Sequence, residues 1–273
     1  MTNSFDMGSD KIRFAMSEIW QAIGEKEDFL FTGENKWVLK MYIPSMVSYS
    51  VSIITLLENE RYDTIAHVCR GAIERYAIVK RLIENYSNSK IFSVIVKKLA
   101  IQEMTADRMD YYILRQDKSI LDVDQKNKDM ESQIARMEFL IQKFFPEEID
   151  SFVFGHEKII KRRIEIINGF LKEVKNKYDN QFPDMNKWHS FVEATLKNNK
   201  AYKDAYGREV EGSGFAYSIL SEESHPTLHY LDKRMVRDKK VYMNNRMHND
   251  DVSVFLVYWC LRDIACEIRM LKK

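Results

Sequence analysis

Proline and glycine are scarce, at 4 and 9 in 273 residues. Few residues are therefore available to break helices, while Lys, Glu, Ile, Met, Ala and Leu dominate, and this composition argues for an all-α protein. An excess of charge of either sign is also lacking: 42 basic residues face 41 acidic ones, for a net charge of +1. No global field draws in a polyanion, so any nucleic-acid contact has to use a local patch. Cysteine is limited to Cys69, Cys260 and Cys266. They are odd in number, lie in apolar helical contexts and form no Cys-x-x-Cys pair or zinc spacing, as expected of small core residues in a reducing cytosol.

The most apolar late run offers no membrane span either. The stretch from Val252 to Cys266 is interrupted by Arg262 and Asp263 and is too short to span a bilayer. The start MTNSFDMGSD has neither the basic segment nor the apolar run of a secretory signal. The expectation is a cytoplasmic protein with no membrane partner. No Gly-rich phosphate loop, Gly-x-Ser-x-Gly elbow or dinucleotide fingerprint occurs, and no cofactor is expected.

What is present is helical periodicity. Ile12, Phe14, Ala15, Ile19, Trp20 and Ile23 predict a first helix from Asp10 to about Gly24, followed by the connector EKEDFLFTGEN. A second helix is predicted over about Lys36–Leu57. A long third runs within Asn59–Asn85, a fourth from Asn88 or Ser89 to about Leu114, and a fifth over about Met130–Phe144. Pro146 opens a sixth toward Tyr178, and Pro183-Asp184 a seventh. Phe215–Ser224 is a short helix stopped by His225-Pro226. VRDKKV holds a short strand or an irregular loop, and a last helix begins at Asn249 or Asp250. This amounts to one all-helical domain, 1–273, a bundle of about eight or nine helices with its weakest seam at the polar stretch 115–129.

The third helix organises the rest. It is apolar on most sides, yet His67, Arg70 and Glu74 share one stripe at i, i+3 and i+7. Charges in an apolar helix need partners. Tyr217, Ser221 and His225, at i, i+4 and i+8 of the late segment FAYSILSEESH, form a polar face that can supply them.

An Arg–x3–Glu pair in a central helix, followed far downstream by Tyr–x3–Ser–x3–His–Pro, resembles a family of bacterial helical proteins of unknown function. That family is related to the HEPN (higher eukaryote and prokaryote nucleotide-binding) superfamily. The matching residues are Arg70, Glu74, Tyr217, Ser221, His225 and Pro226, with Trp188, Tyr202 and Tyr206 in the run between them, and the likeness spans roughly residues 40–235. It implies a HEPN-like core, metal-independent ribonuclease or toxin-like activity, and a role in bacterial defence. RNA, a homodimer and a protein partner in a defence system are the implied associates. The superfamily's own motif is an Arg, four to six residues, then a His. Here that spacing occurs only as Arg61 to His67, whose side chains would point about 120° apart on a helix. The resemblance therefore places the site at Arg70 and His225.

In that reading His225 is the acid or base, because imidazole titrates near neutrality. Arg70 clamps the phosphate, Glu74 holds Arg70, and Ser221 and Tyr217 orient phosphate or imidazole. His229 or His67 would have to provide a second acid. The alternative is a non-catalytic interaction or sensing module in which the same five residues are a structural network. His156, His189 and His248 are too scattered to form a metal site. Lys233, Arg234, Arg237, Lys239 and Lys240, interleaved with Tyr230 and Tyr242, form the densest basic patch. It reads either as a nucleic-acid track or as a solvated loop.

Overall fold

A computed structural model describes residues 4–33, 35–59, 61, 64–117, 119, 122–149, 159–199, 236–237, 240–241 and 248–272. Among these the protein is all-α, as its composition predicts. The helices are α1 (Ser4–Leu30), α2 (Leu39–Glu58), α3 (Ile65–Glu84), α4 (Ser89–Gln116), α5 (Val123–Phe144), α6 (Ile160–Gln181), α7 (Trp188–Lys197) and α8 (His248–Met270). Two residues on each side of the VRDKKV segment pair antiparallel, Val236 with Val241 and Arg237 with Lys240. The chain groups into two compact units, one of residues 1–89 and 187–273 and one of residues 90–186.

In the first unit α1, α2, α3 and α8 pack in a ring, and α7 lies on α3. Side-chain bonds fix the directions. Arg13 reaches Glu58 across 2.5 Å, joining the start of α1 to the end of α2, so these two run antiparallel. Glu18 meets Arg262 at 3.0 Å and Lys26 donates to the Leu271 carbonyl at 3.0 Å, so α1 and α8 run parallel. The apolar stripes Ile12–Ala15–Ile19–Ala22, Ile43–Met46–Val47–Ile53–Ile54 and Leu256–Val257–Leu261–Ile264–Ile268 are buried and make the core with α3.

Several boundaries differ from expectation. Helix α1 starts at Ser4, so Asp10 lies inside it and does not cap it. Pro183–Asn186 is a 3₁₀ turn, and α7 starts only at Trp188. Helix α1 continues past Gly24 to Leu30, because Leu30 is fully buried. Phe29 also packs edge-on against Tyr86 at 6.0 Å. The turn comes at Gly33 (φ 106°) and Asn35 (φ 61°), left-handed positions suited to Gly and Asn. Helix α5 begins at Val123, well before Met130, since Asp122 caps it by accepting from the Gln125 N–H at 2.9 Å. Helix α6 begins at Ile160 rather than at Pro146, where residues 146–148 form a turn.

The second unit holds α4, α5 and α6. Arg163 grips Glu138 with two bonds of 2.9 and 2.6 Å between α6 and α5. Asn168 donates to Tyr112 at 2.9 Å between α6 and α4. Lys98 donates to the Phe182 carbonyl at 2.8 Å and to Asn186, tying the short 3₁₀ turn Pro183–Asn186 to α4. One stretch, Lys36–Glu58, is long and apolar enough by length and composition to cross a membrane, and 44% of its apolar window is buried inside the protein.

Candidate functional site on helix α3

Helix α3 forms because helix formers and buried apolar residues alternate around its whole circumference. Ile65, Ala66, Cys69, Ala72, Ile73, Tyr76, Ala77, Val79, Leu82 and Ile83 are all buried. Gly71 allows the close approach of α2: a Cβ there would stand 2.3 Å from the Tyr49 ring. Arg75 also lies over Tyr49, with its guanidinium 4.7 Å from the ring centre.

Arg70 and Glu74 sit on this helix as the spacing predicts. The Arg70 Nε–H donates to Glu74 Oε1 at 2.9 Å, and the side chains are 24% and 18% accessible. The stripe thus carries its own i, i+4 ion pair, which orients the guanidinium, while enough of both side chains is accessible for the charge to be felt outside the core. His67, one turn earlier, is exposed. Arg61 precedes the helix and is exposed as well.

Tyr217, Ser221, His225, Pro226 and His229 lie outside the described residues, as do Tyr202, Tyr206 and His156. So do Tyr230, Lys233, Arg234, Lys239 and Tyr242 of the basic patch. Arg237 and Lys240 belong to the small antiparallel ribbon. Trp188 opens α7 and stacks on Phe191 at 5.3 Å, and Phe191 in turn lies under Arg81 of α3 at 5.9 Å. His189 pairs with Glu193 at 3.4 Å on α7. Among the described residues no three His, Cys, Asp or Glu side chains gather as metal ligands would.

A second polar cluster, absent from the sequence reading, lies about 120° around α3 from the first. Lys80 Nζ stands 2.7 Å from Asp263 Oδ2 and 2.7 Å from Glu267 Oε1, and the Tyr76 hydroxyl donates to Asp263 Oδ2 at 2.9 Å. Both pairs are spaced i, i+4, so the parallel helices α3 and α8 match in register over one turn. Burial, reinforced by the neighbouring Asp263, raises the Tyr76 hydroxyl well above its usual range and keeps it a hydrogen-bond donor. Burial and Asp263 likewise push up the Cys260 thiol, with Lys80 opposing, so that cysteine is a poor nucleophile. Cys69 is buried and Cys266 half-buried, and none of the three forms a disulfide among the described residues. The signal for this cluster was available. Lys80 falls within an otherwise apolar turn, and Asp263 and Glu267 interrupt an apolar helix at the same spacing.

Comparison with protein families, with curated proteins and with solved structures finds no match to this chain.

Proposed function

We propose that the chain is a HEPN-like protein that acts on RNA without a metal, with Arg70 as its phosphate contact. The supporting observation is the Arg70–Glu74 pair: a guanidinium fixed through Nε by a carboxylate one turn away, with part of its surface accessible. A planar fork held in this way suits a phosphodiester better than a mobile lysine would. In the reading that the resemblance supplies, His225 removes the proton from a ribose 2′-hydroxyl. The oxygen forms a bond to phosphorus, the bond to the 5′-oxygen breaks, and a second acid (His229 or His67) protonates the leaving oxygen. Arg70 stabilises the charge on the pentavalent phosphorus, and Tyr217 and Ser221 orient the reacting groups. A cytoplasmic, toxin-like role in bacterial defence belongs to the same reading.

The test is cleavage of a mixed RNA pool in chelator by the wild type, Arg70→Ala and His225→Ala, with a thermal melt of each. Loss of cleavage by about 10²–10⁴-fold at unchanged melting temperature is the expected result. Equal behaviour of folded wild type and variants sinks it.

A second reading has its own observation. Helix α3 already uses the sealed Tyr76–Lys80–Asp263–Glu267 cluster to fix its register against α8. The Arg70–Glu74 pair could serve the same end toward a further segment, in a non-catalytic interaction or sensing module. A loss of about 3–5 kcal/mol in Glu74→Ala, with no RNA cleavage by the wild type, would select this reading.

A further inference from the structure

Among the described residues no helix covers the outward face of α2, and its pattern is that of a helix seam. After Lys40 the exposed residues of α2 are Met41, Pro44, Ser48, Val51, Ser52, Thr55 and Glu58, and all but Ser52 follow one another at spacings of 3, 4, 3, 4 and 3. That is the a/d spacing of a coiled-coil interface, here turned away from the core. Met41 is 59% and Val51 47% exposed, and Trp20 of α1, beside them, is 48% exposed. In a chain with 30% charged residues, none occurs between Lys40 and Glu58. Two hydroxyls on this face are bonded to their own helix: Ser52 to the Ser48 carbonyl and Thr55 to the Val51 carbonyl, both at 3.1 Å. Covering those two hydroxyls leaves neither donor unmet.

Charge is confined to the two ends, about 27 Å apart along the helix. At one end an open groove of about 460 Å³ is lined by residues including Trp20, Glu27, Phe31, Lys40 and Pro44. Lys40 stands over the Phe31 ring at 5.3 Å. At the other end is the exposed Arg13–Glu58 pair. Each end thus has one cation and one anion, with the signs exchanged between the helices: α2 carries Lys40 at one end and Glu58 at the other, and α1 carries Glu27 and Arg13.

We propose that this α1–α2 face binds a second copy of the chain about a two-fold axis, with the two α2 helices antiparallel. The spacing is symmetric under that operation. Position 48 meets 51 of the second copy, 44 meets 55 and 41 meets 58, so small Ser48 receives Val51. The same operation brings the Arg13–Glu58 pair of one copy into the groove of the other, Glu58 toward Lys40 and Arg13 toward Glu27 and the Trp20 ring. Both contacts occur twice. An uncharged centre matters for such a pairing, because residues near a two-fold axis meet their own kind and like charges there repel. A lipid surface fits less well: Pro, Ser and Thr occupy the middle of the face, and its ends carry both signs rather than Lys and Arg. This inference is independent of the RNA reading.

Sedimentation velocity on the full chain tests it. The wild type should sediment as a dimer of twice the 32.4 kDa chain mass, and Val51→Lys as a monomer with an unchanged melting temperature. Lys40→Glu and Glu58→Lys should each weaken the dimer about tenfold or more, and the combined Lys40→Glu/Glu58→Lys protein should recover it. A wild type that stays monomeric up to about 100 µM overturns the proposal. So does a dimer indifferent to Val51→Lys, or a double reversal that fails to restore. A monomer that co-sediments with vesicles of anionic phospholipid assigns the face to a membrane instead.

Discussion

Lys80 Nζ and Asp263 Oδ2 lie 2.7 Å apart, with 1% and 0% of the two side chains accessible. Two charges taken this far from water are tolerable only when every bond around them is made. Here Glu267 offers a second carboxylate to the ammonium, and Tyr76 donates to the carboxylate of Asp263. The cluster sets helix register more than it adds net stability: a one-turn slip of α8 would leave Lys80 with only one of its two carboxylates.

Truncation should reveal this as an ordered series. Asp263→Ala removes acceptors from both Lys80 and Tyr76 and should cost about 3–5 kcal/mol in urea unfolding. Tyr76→Phe removes one hydrogen bond and should cost about 0.5–1.5 kcal/mol. Comparable losses from the two would mean that the ion pair is not the centre of the cluster.

The contact between α2 and α3 gives a prediction of opposite sign to helix propensity. Replacing a helical Gly by Ala ordinarily stabilises by about 1 kcal/mol. At Gly71 the new methyl group would lie 2.3 Å from the Tyr49 ring, over which the Arg75 guanidinium stands at 4.7 Å. Gly71→Ala should therefore destabilise the first unit by about 1–3 kcal/mol. Gly71→Ala/Tyr49→Ser should recover most of that loss, because the ring is the obstacle. Chemical denaturation of the single and double variants decides it. A stabilised single variant would place the ring elsewhere.

The all-α class was legible because it depends on composition and period, which act residue by residue. The central helix was legible for the same reason, as was the Arg70–Glu74 pair, since i, i+4 spacing is a property of one helix. Two kinds of information were not. Boundaries such as Leu30 and Val123 depend on distant burial and on a single cap at Asp122, neither of which alters the local pattern. The Lys80 cluster depends on pairing α3 with a helix far along the chain. In sequence its two halves read separately, as one stray lysine and as a break in an apolar run. Only a parallel register between the two helices joins them. The ring of Tyr49 against Gly71 was hidden likewise, because glycine inside a helix gives no hint of what approaches it.

The last prediction concerns pH and the second unit. Glu148 accepts from Lys177 at 3.0 Å and from the Tyr178 hydroxyl, and Lys97 stands 3.5 Å away. Burial alone would raise this carboxyl, but the Tyr178 and Lys177 bonds and the Lys97 charge outweigh it and hold the group below its ordinary 4.5. A depressed carboxylate contributes stability above its unfolded pKa and loses it as pH falls through the folded value. The wild type should thus lose melting temperature as pH drops below about 4.5, and Glu148→Gln should show a shallower acid limb. Tyr178 acts at the other end. Burial and then Glu148 raise its hydroxyl above the usual 10.0, so its contribution is intact at neutral pH and declines as pH rises beyond that value. Tyr178→Phe should flatten the alkaline limb and, by removing one donor to Glu148, soften the acid limb as well. Melting curves of the three proteins across pH measure both limbs. An acid limb unchanged in both variants would show that these bonds do not govern the titration of the second unit.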